Sequence, residues 1–324
     1  MATSFLGAGC TPPGGIRITP VPLDQTLHEQ IVLRDPGWIA ERIALIEVSG
    51  VLMNAHTPGL FSEGEHPVSL LAENLTIAAN DSRVKGVVLR INSPGGTVTA
   101  SDTIYHEIRE FKRKTGKPVI AYFQDVAASG AYYLACAADE IIAQRTTVTG
   151  SIGVIMQMMD VTGTLTKIGV TADAIKSGPN KDAGSPFRRM KAEEREIFQG
   201  MVNDFYQQFV NVVTEGRPKL SREEIIKLSD GRVYVANQAL ENGLIDRIGT
   251  LEDAISAAKG RAGIQAALTV RYIRPLDWEP NIYAHSPGKI AHSAGCPTIN
   301  LLNINMPFYW TKQPTFMYIW APEG

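Results

Sequence analysis

The run Val84–Asn92, VKGVVLRIN, is nearly continuous in aliphatic residues, with Lys85 and Arg90 as its only charges. A strand with one wet face alternates apolar and polar side chains, whereas a strand covered on both faces does not. The run therefore predicts a buried strand in a largely parallel sheet. Working outward, Arg42–Val51 (RIALIEVSGV), Lys117–Phe123 (KPVIAYF), Glu140–Ala143, Ile152–Met156 and Thr171–Lys176 read as further strands. Helices are expected over Val68–Ala79, Thr99–Thr115, Val161–Ile168, Ala192–Thr214, from Ser221 onward, and over Ala236–Asn242 and Leu251–Lys259. Strands alternating with helices define βαβ units and an α/β fold. No internal repeat is visible.

Composition narrows the class. The chain has 324 residues, 44% of them hydrophobic and 20% charged, with 29 glycines, which is the make-up of a globular α/β protein with a substantial core. A net charge of −2 gives no electrostatic case for nucleic acid. Lys112-Arg113-Lys114 reads as a solvated helix end. Cys10, Cys136 and Cys296 are odd in number and far apart, so neither a disulfide framework nor a metal spacing follows. Cys136 reads as a small core residue.

The two ends differ from the middle. Residues 1–40 hold Pro12, Pro13, Pro20, Pro22 and Pro36 and are expected to form an extended arm. Ala8-Gly9-Cys10 faintly resembles a lipoprotein cleavage site, although Gly7 stands where leucine is usual and a full signal peptide is missing. No window reaches the roughly 18 apolar residues of a membrane-spanning helix. From Arg271 the chain carries seven prolines, and Phe308–Trp320 packs six aromatics around the single charge of Lys312. That tail is either a packing arm on its own domain or a neighbour, or a contact for a membrane surface or partner.

Three glycine-containing turns follow strands: Asn92-Ser93-Pro94-Gly95-Gly96, Ala128-Ser129-Gly130, and Thr149-Gly150-Ser151-Ile152-Gly153. The first lacks both GxGxxG and GxxxxGK[ST] spacing, which argues against a nucleotide phosphate loop. Consecutive glycines can present backbone N–H groups at close range, and a turn beside Ser129 could supply half of an oxyanion hole. Ser129 opens the small-residue segment DVAASGAYYLACAAD (Asp125–Asp139) and reads either as a helix cap or as a nucleophile. The six histidines, His28, His56, His66, His106, His285 and His292, avoid the strand-end loops, so a Ser–His–Asp triad has no natural histidine. Lys181 lies in the loop Ile175–Pro186 after an expected strand. A loop lysine is ordinarily a solvated charge. It acts as a general base only when burial brings it far below the ordinary value of about 10.4, and Ser–Lys pairs are an established variant of nucleophile and base.

The motifs INSPGGTV, DVAASGAYYLACAAD, TGSIGVI, KSGPNKDAGSPFR and DGRVYVANQALENGLID occur in that order. Together they closely resemble the signal peptide peptidase A family of Ser–Lys serine proteases (peptidase S49), over roughly Ile43–Lys259. The resemblance implies a ClpP/crotonase-like spiral of ββα units with a mostly parallel sheet. It divides the chain into the Pro-rich arm 1–40, a peptidase domain 41–262 and an extension 263–324. By motif, Ser129 resembles the nucleophile and Lys181 its general base. Ser151 resembles the serine that orients the lysine, and Gly96 and Gly130 the oxyanion donors. Neither metal nor cofactor is implied. The family further implies a ring-like homo-oligomer and peptide substrates with small or apolar residues at the cleavage site. Its members degrade cleaved signal peptides and other membrane-derived peptides outside the cytoplasm. They commonly carry an N-terminal membrane anchor, which is not visible here, so a cytoplasmic location or a lipoprotein with a truncated start are the alternatives. Ala131 replaces a frequent second glycine after the nucleophile, and the aromatic tail has no counterpart.

The resemblance implies attack by Ser129 with proton transfer to neutral Lys181, then hydrolysis of an acyl-enzyme. Two rivals belong to other classes. One is a crotonase-type acyl-CoA enzyme, which would use Glu or Asp and not the Ser129–Lys181 pair. The other is a non-catalytic oligomeric scaffold with the protease motifs inherited. A viral head-maturation protease is a variant of the first reading.

Overall fold

Val84–Ser93 is the middle strand of the main sheet, and both of its faces are covered. The computed structural model describes residues 26–55, 66–274 and 316–320. In chain order it runs β1 (His28–Arg34), β2 (Arg42–Ser49), α1 (Pro67–Asn80), β3 (Val84–Ser93), β4 (Gly95–Thr97) and α2 (Val98–Thr115). Next come β5 (Val119–Ala128), α3 (Gly130–Ala135), β6 (Glu140–Ala143), β7 (Val148–Gly150), β8 (Ile155–Met156) and α4 (Thr162–Lys167). The remainder is α5 (Ala192–Gly216), α6 (Arg222–Leu228), β9 (Val233–Val235), α7 (Ala236–Glu241), β10 (Arg247–Ile248), α8 (Leu251–Arg261), β11 (Leu268–Ile273) and β12 (Phe316–Ile319).

The main sheet follows the path β1-β11-β2-β3-β5-β6-β10, with β7 joined to β5 and β9 to β7, and its pairs are parallel except for β1–β11 and β7–β9. Alternate residues explain the unbroken apolar run. Val87, Leu89 and Ile91 pack towards α1, α2 and α3, while Val88 joins Ile43, Leu45, Ile120 and the α8 residues Leu251, Ala254 and Ile255. Burying each such side chain stabilises the fold by about 1.5–3 kcal/mol relative to exposure. Arg90 is the exception in the run. It is fully buried and its guanidinium donates to Glu47 at 2.8 Å, across the β2–β3 register.

Three times the chain makes a long strand, a short extended piece and a helix. These units are β2, Leu52 and α1; β3, β4 and α2; and the two halves of β5 with α3. The short pieces lie side by side, Leu52 bridging Gly96, Ser93 opposite Ala127, and Val126–Ala128 beside Val148–Gly150. This is the spiral of ββα units that the resemblance implies. Its repetition is one of backbone path and not of residues, so the sequence shows none.

The structure departs from expectation at three places. His28–Arg34, within the expected arm, is a strand paired antiparallel to β11; this proline-free stretch lies between Pro22 and Pro36. The sheet thus draws on residues from both sides of the 41–262 span. Residues 171–176 form no strand and are exposed throughout, and no strand among the described residues offers them a ladder. Of Ile152–Met156 only two residues are strand. Cys136 is buried as expected, and burial pushes its thiol up to about 12; Cys10 and Cys296, like residues 1–25, lie outside the described residues.

Candidate active site

β5 changes partner halfway along its length. Ile120–Phe123 pairs with β6, and Val126–Ala128 pairs with β7. Side chains hold the break open: Asn92 Oδ1 accepts from the Val126 N–H at 3.2 Å, and the Thr147 hydroxyl donates to the carbonyls of Phe123 and Gln124. Ala128 stands opposite Gly150 in the parallel register, so Ser129 and Ser151 leave the sheet at the same level. Both have positive φ, 53° and 50°. For a residue with a Cβ this conformation costs on the order of 1–3 kcal/mol and collects at functional sites. The Ser129 N–H donates to the Gly150 carbonyl at 2.7 Å and the Ser151 N–H to that of Arg232 at 2.8 Å, which fixes both turns.

Ser129 occupies the N-cap position of α3, yet its side chain makes no capping bond. The helix-cap reading therefore falls. The side chain is buried, and its hydroxyl has no hydrogen-bond partner among the described residues. The strained backbone at Ser129 therefore does not serve to cap the helix.

The glycine turn of β4 closes on this serine. Gly95 has φ 97°, and a methyl group on it would lie 2.1 Å from the Tyr318 carbonyl oxygen and 2.7 Å from the Gly130 nitrogen. On Gly96 a methyl would meet the Leu52 carbonyl oxygen at 1.9 Å, and on Gly130 the Ser101 hydroxyl at 2.2 Å. Only glycine lets these backbones approach so closely. The structure therefore brings Gly96, Gly130, Ser129 and Ser151 together at the strand ends.

Lys181 is not among them. It sits in an exposed turn, its N–H donating to the Gly178 carbonyl at 3.3 Å, and its side chain forms no hydrogen bond or ion pair with a described residue. The burial that a basic lysine needs is not supplied by the described residues of one chain. The turn itself is anchored. Asp182 accepts from Lys176 at 2.6 Å and from Arg188 at 2.8 Å, and Arg188 continues to Glu194 of α5. These partners hold the Asp182 carboxyl well below the usual carboxylate range. Because its folded pKa lies below the unfolded one, this anchor is present at neutral pH and is lost only as pH falls through the depressed value. Asp182, Arg188 and Glu194 were not expected as site residues; their only sequence signal is opposite charges six residues apart. Arg188→Gln is expected to release the turn and lower kcat/KM about 10- to 100-fold, with little change in melting temperature. Peptide turnover beside a thermal melt checks this.

His66 caps α1, His28 lies on β1, and His106 is exposed on α2 with Asp102 at 3.6 Å. None of them partners Ser129, and His56, His285 and His292 lie outside the described residues. No group of three His, Cys, Asp or Glu gathers among the described residues to hold a metal. No helix among them is long and apolar enough to cross a membrane.

The sequence profile of Peptidase family S49 matches residues 111–265. An Enterococcus faecium protein carrying the name signal peptide peptidase SppA is 38% identical over 249 residues, 77% of this chain and 70% of that one. Protease 4 of Haemophilus influenzae is 34% identical over 68% of this chain and 35% of its own. The chloroplastic serine protease SPPA of Arabidopsis thaliana is 34% identical over 75% of this chain and 36% of its own. Among solved structures, a point mutant of ClpP1 from Listeria monocytogenes aligns with TM-score 0.43 and 18% identity, over 65% of this chain and 94% of that one. The family profile and the relatives together define a serine peptidase. The chain belongs to peptidase family S49.

Proposed function

We propose that this chain is an endopeptidase working through a Ser129–Lys181 dyad. The observation that carries the reading is a buried serine in a strained turn, with no capping bond, immediately before Gly130, whose nitrogen the backbone of Gly95 closely approaches. The Ser129 hydroxyl gives its proton to the neutral amine of Lys181 as Oγ bonds the peptide carbonyl carbon. The resulting oxyanion is held by the N–H groups of Gly96 and Gly130. The C–N bond then breaks, the proton passes to the leaving amine, and an acyl-enzyme remains. Water, deprotonated by Lys181, cleaves the ester and restores Ser129. Ser151 orients the lysine. Substrates are signal-peptide-like or other membrane-derived and misfolded peptides, in keeping with the relatives' names. Ile168, Val170, Ile175 and Phe187 are exposed around the Lys181 loop, which supports packing of that loop in a homo-oligomeric ring. A membrane-associated or extracytoplasmic setting goes with the family.

The exposure of Lys181 favours one rival, the non-catalytic scaffold. Hydrolysis of a fluorogenic peptide by the purified oligomer at pH 7–10 separates the two. Turnover with kcat/KM rising with pH, as the base loses its proton, is the expected result. Folded protein without turnover at any pH would support the scaffold.

A further inference from the structure

The opposite end of the sheet from Ser129 holds a basic cavity that peptide chemistry does not use. β5 enters the sheet at Val119 and runs to Ala128, next to the proposed nucleophile. At about 3.3 Å per residue, its entry lies roughly 30 Å from Ser129. There Lys112, Gly116, Lys117, Pro118, Asp139 and Arg261 line a cavity of about 460 Å³. They come from the end of α2, the turn into β5, the turn before β6 and the last residue of α8.

The carboxylate in this lining is already committed. One oxygen of Asp139 accepts from the Val119 N–H at 2.8 Å, and the other meets the Lys112 amine at 2.9 Å. Lys112 also donates to the Ala137 carbonyl at 2.8 Å, so the first residue of the basic run on α2 is turned inward rather than solvated. Lys117 donates to three carbonyls at the α1 C-terminus, those of Ala78 at 2.6 Å, Asp81 at 2.9 Å and Ala79 at 3.2 Å. Burial holds its amine below the usual lysine range, against the pull of Asp81 and with the help of Lys85. Arg261 spends only Nε, which donates to Glu140 at 3.1 Å, and Glu140 is shared with Arg247.

The unused groups are one-sided. The terminal nitrogens of Arg261 have no hydrogen-bond partner among the described residues, and Lys112 keeps one ammonium proton. Both oxygens of the lining carboxylate hold partners. Three cations against one carboxylate make a local excess of positive charge in a chain whose net charge is −2. Lys112 and Lys117 are half-buried, where screening by salt is weaker than at a free surface. None of the lining residues is aromatic, so the cavity offers no platform for a nucleobase.

We infer that this cavity is a binding site for a phosphate group. The guanidinium fork of Arg261 takes two of its oxygens, Lys112 takes another, and Lys117 adds charge without a bond. A soluble phosphate and the headgroup of an anionic lipid present the same chemistry. Either occupant ties α2 to α8 across the start of β5. The site stands apart from Ser129 and does not depend on peptide cleavage.

The test titrates the full chain calorimetrically with inorganic pyrophosphate at low salt, and sediments it with vesicles of phosphatidylglycerol or of phosphatidylcholine. Arg261→Gln removes the guanidinium at the cost of one surface ion pair. Arg113→Gln is the control of equal charge, an exposed residue of α2 paired with Glu110 outside the cavity. Arg261→Gln is expected to weaken pyrophosphate binding about tenfold, and Arg113→Gln to leave it unchanged. Pyrophosphate binding with that pattern upholds the site with a soluble phosphate as its ligand. Binding to phosphatidylglycerol vesicles alone, lost in Arg261→Gln and not seen with phosphatidylcholine, upholds it with a lipid headgroup. No binding to either probe overturns the proposal, as does binding that Arg261→Gln leaves unchanged. An equal loss in both variants also overturns it, because diffuse surface charge then accounts for the binding. Should Arg261→Gln not fold, Lys112→Gln against the same control gives the same decision.

Discussion

Ser129→Ala is expected to lower kcat by about four to six orders of magnitude, and Lys181→Ala to do nearly the same. The double variant should be no worse than either single one, because nucleophile and base act as a unit. The fold should survive both changes. The Ser129 hydroxyl holds no partner among the described residues, and its turn is fixed by the backbone bond to Gly150. Lys181 is exposed and contributes no ion pair there. Melting temperatures within about 2 °C of the wild type are therefore expected for both. Peptide turnover with active-site titration, beside a thermal melt, checks the prediction. Retention of a tenth of the activity by Ser129→Ala would remove the serine from the chemistry.

Gly95→Ala is the second large effect, and it acts through space rather than through a functional group. The added methyl would press on the Tyr318 carbonyl oxygen at 2.1 Å and on the Gly130 nitrogen at 2.7 Å, at a backbone φ of 97°. It strains the turn by about 1–3 kcal/mol and displaces Gly130, the proposed oxyanion donor, whose loss would cost about 100- to 1,000-fold in kcat. Gly116→Ala is the control. Gly116 also has positive φ, 68°, but nothing lies within 4 Å of its Cβ position, so that variant should lose some stability and no activity. Equal kinetic losses in the two would show strain alone at work.

Much of this site was legible in the sequence for a definite reason. VKGVVLRIN and KPVIAYF are strands because their burial is written in consecutive residues, and the turns after them carry glycines that only close backbone approach requires. The parallel register then delivers Ser129 beside Ser151 without further information. Long-range pairing was not legible. Phe316–Ile319 reads as part of an aromatic tail, because nothing local says that four residues will insert between two strands distant in the chain. The partner change within β5 depends on Asn92 and Thr147, polar residues that carry no period. Lys181 is legible as a residue but its surroundings are not, since burial of a loop lysine is a property of the assembled fold. Residues 171–176 have strand composition, yet they remain exposed without a neighbour to complete them.

The contrast between β5 and the 171–190 segment has a consequence for how such an enzyme fails. The proposed nucleophile, Ser129, follows a strand bonded on both sides, and such elements open only with global unfolding. The proposed base rides on an exposed turn, tied down by the ionic knot of Lys176, Asp182, Arg188 and Glu194. Local opening of that turn requires only a fraction of the free energy that unfolds the sheet. Warming would therefore disconnect the dyad well below the melting temperature. The protein would fall silent while still folded, and cooling would revive it.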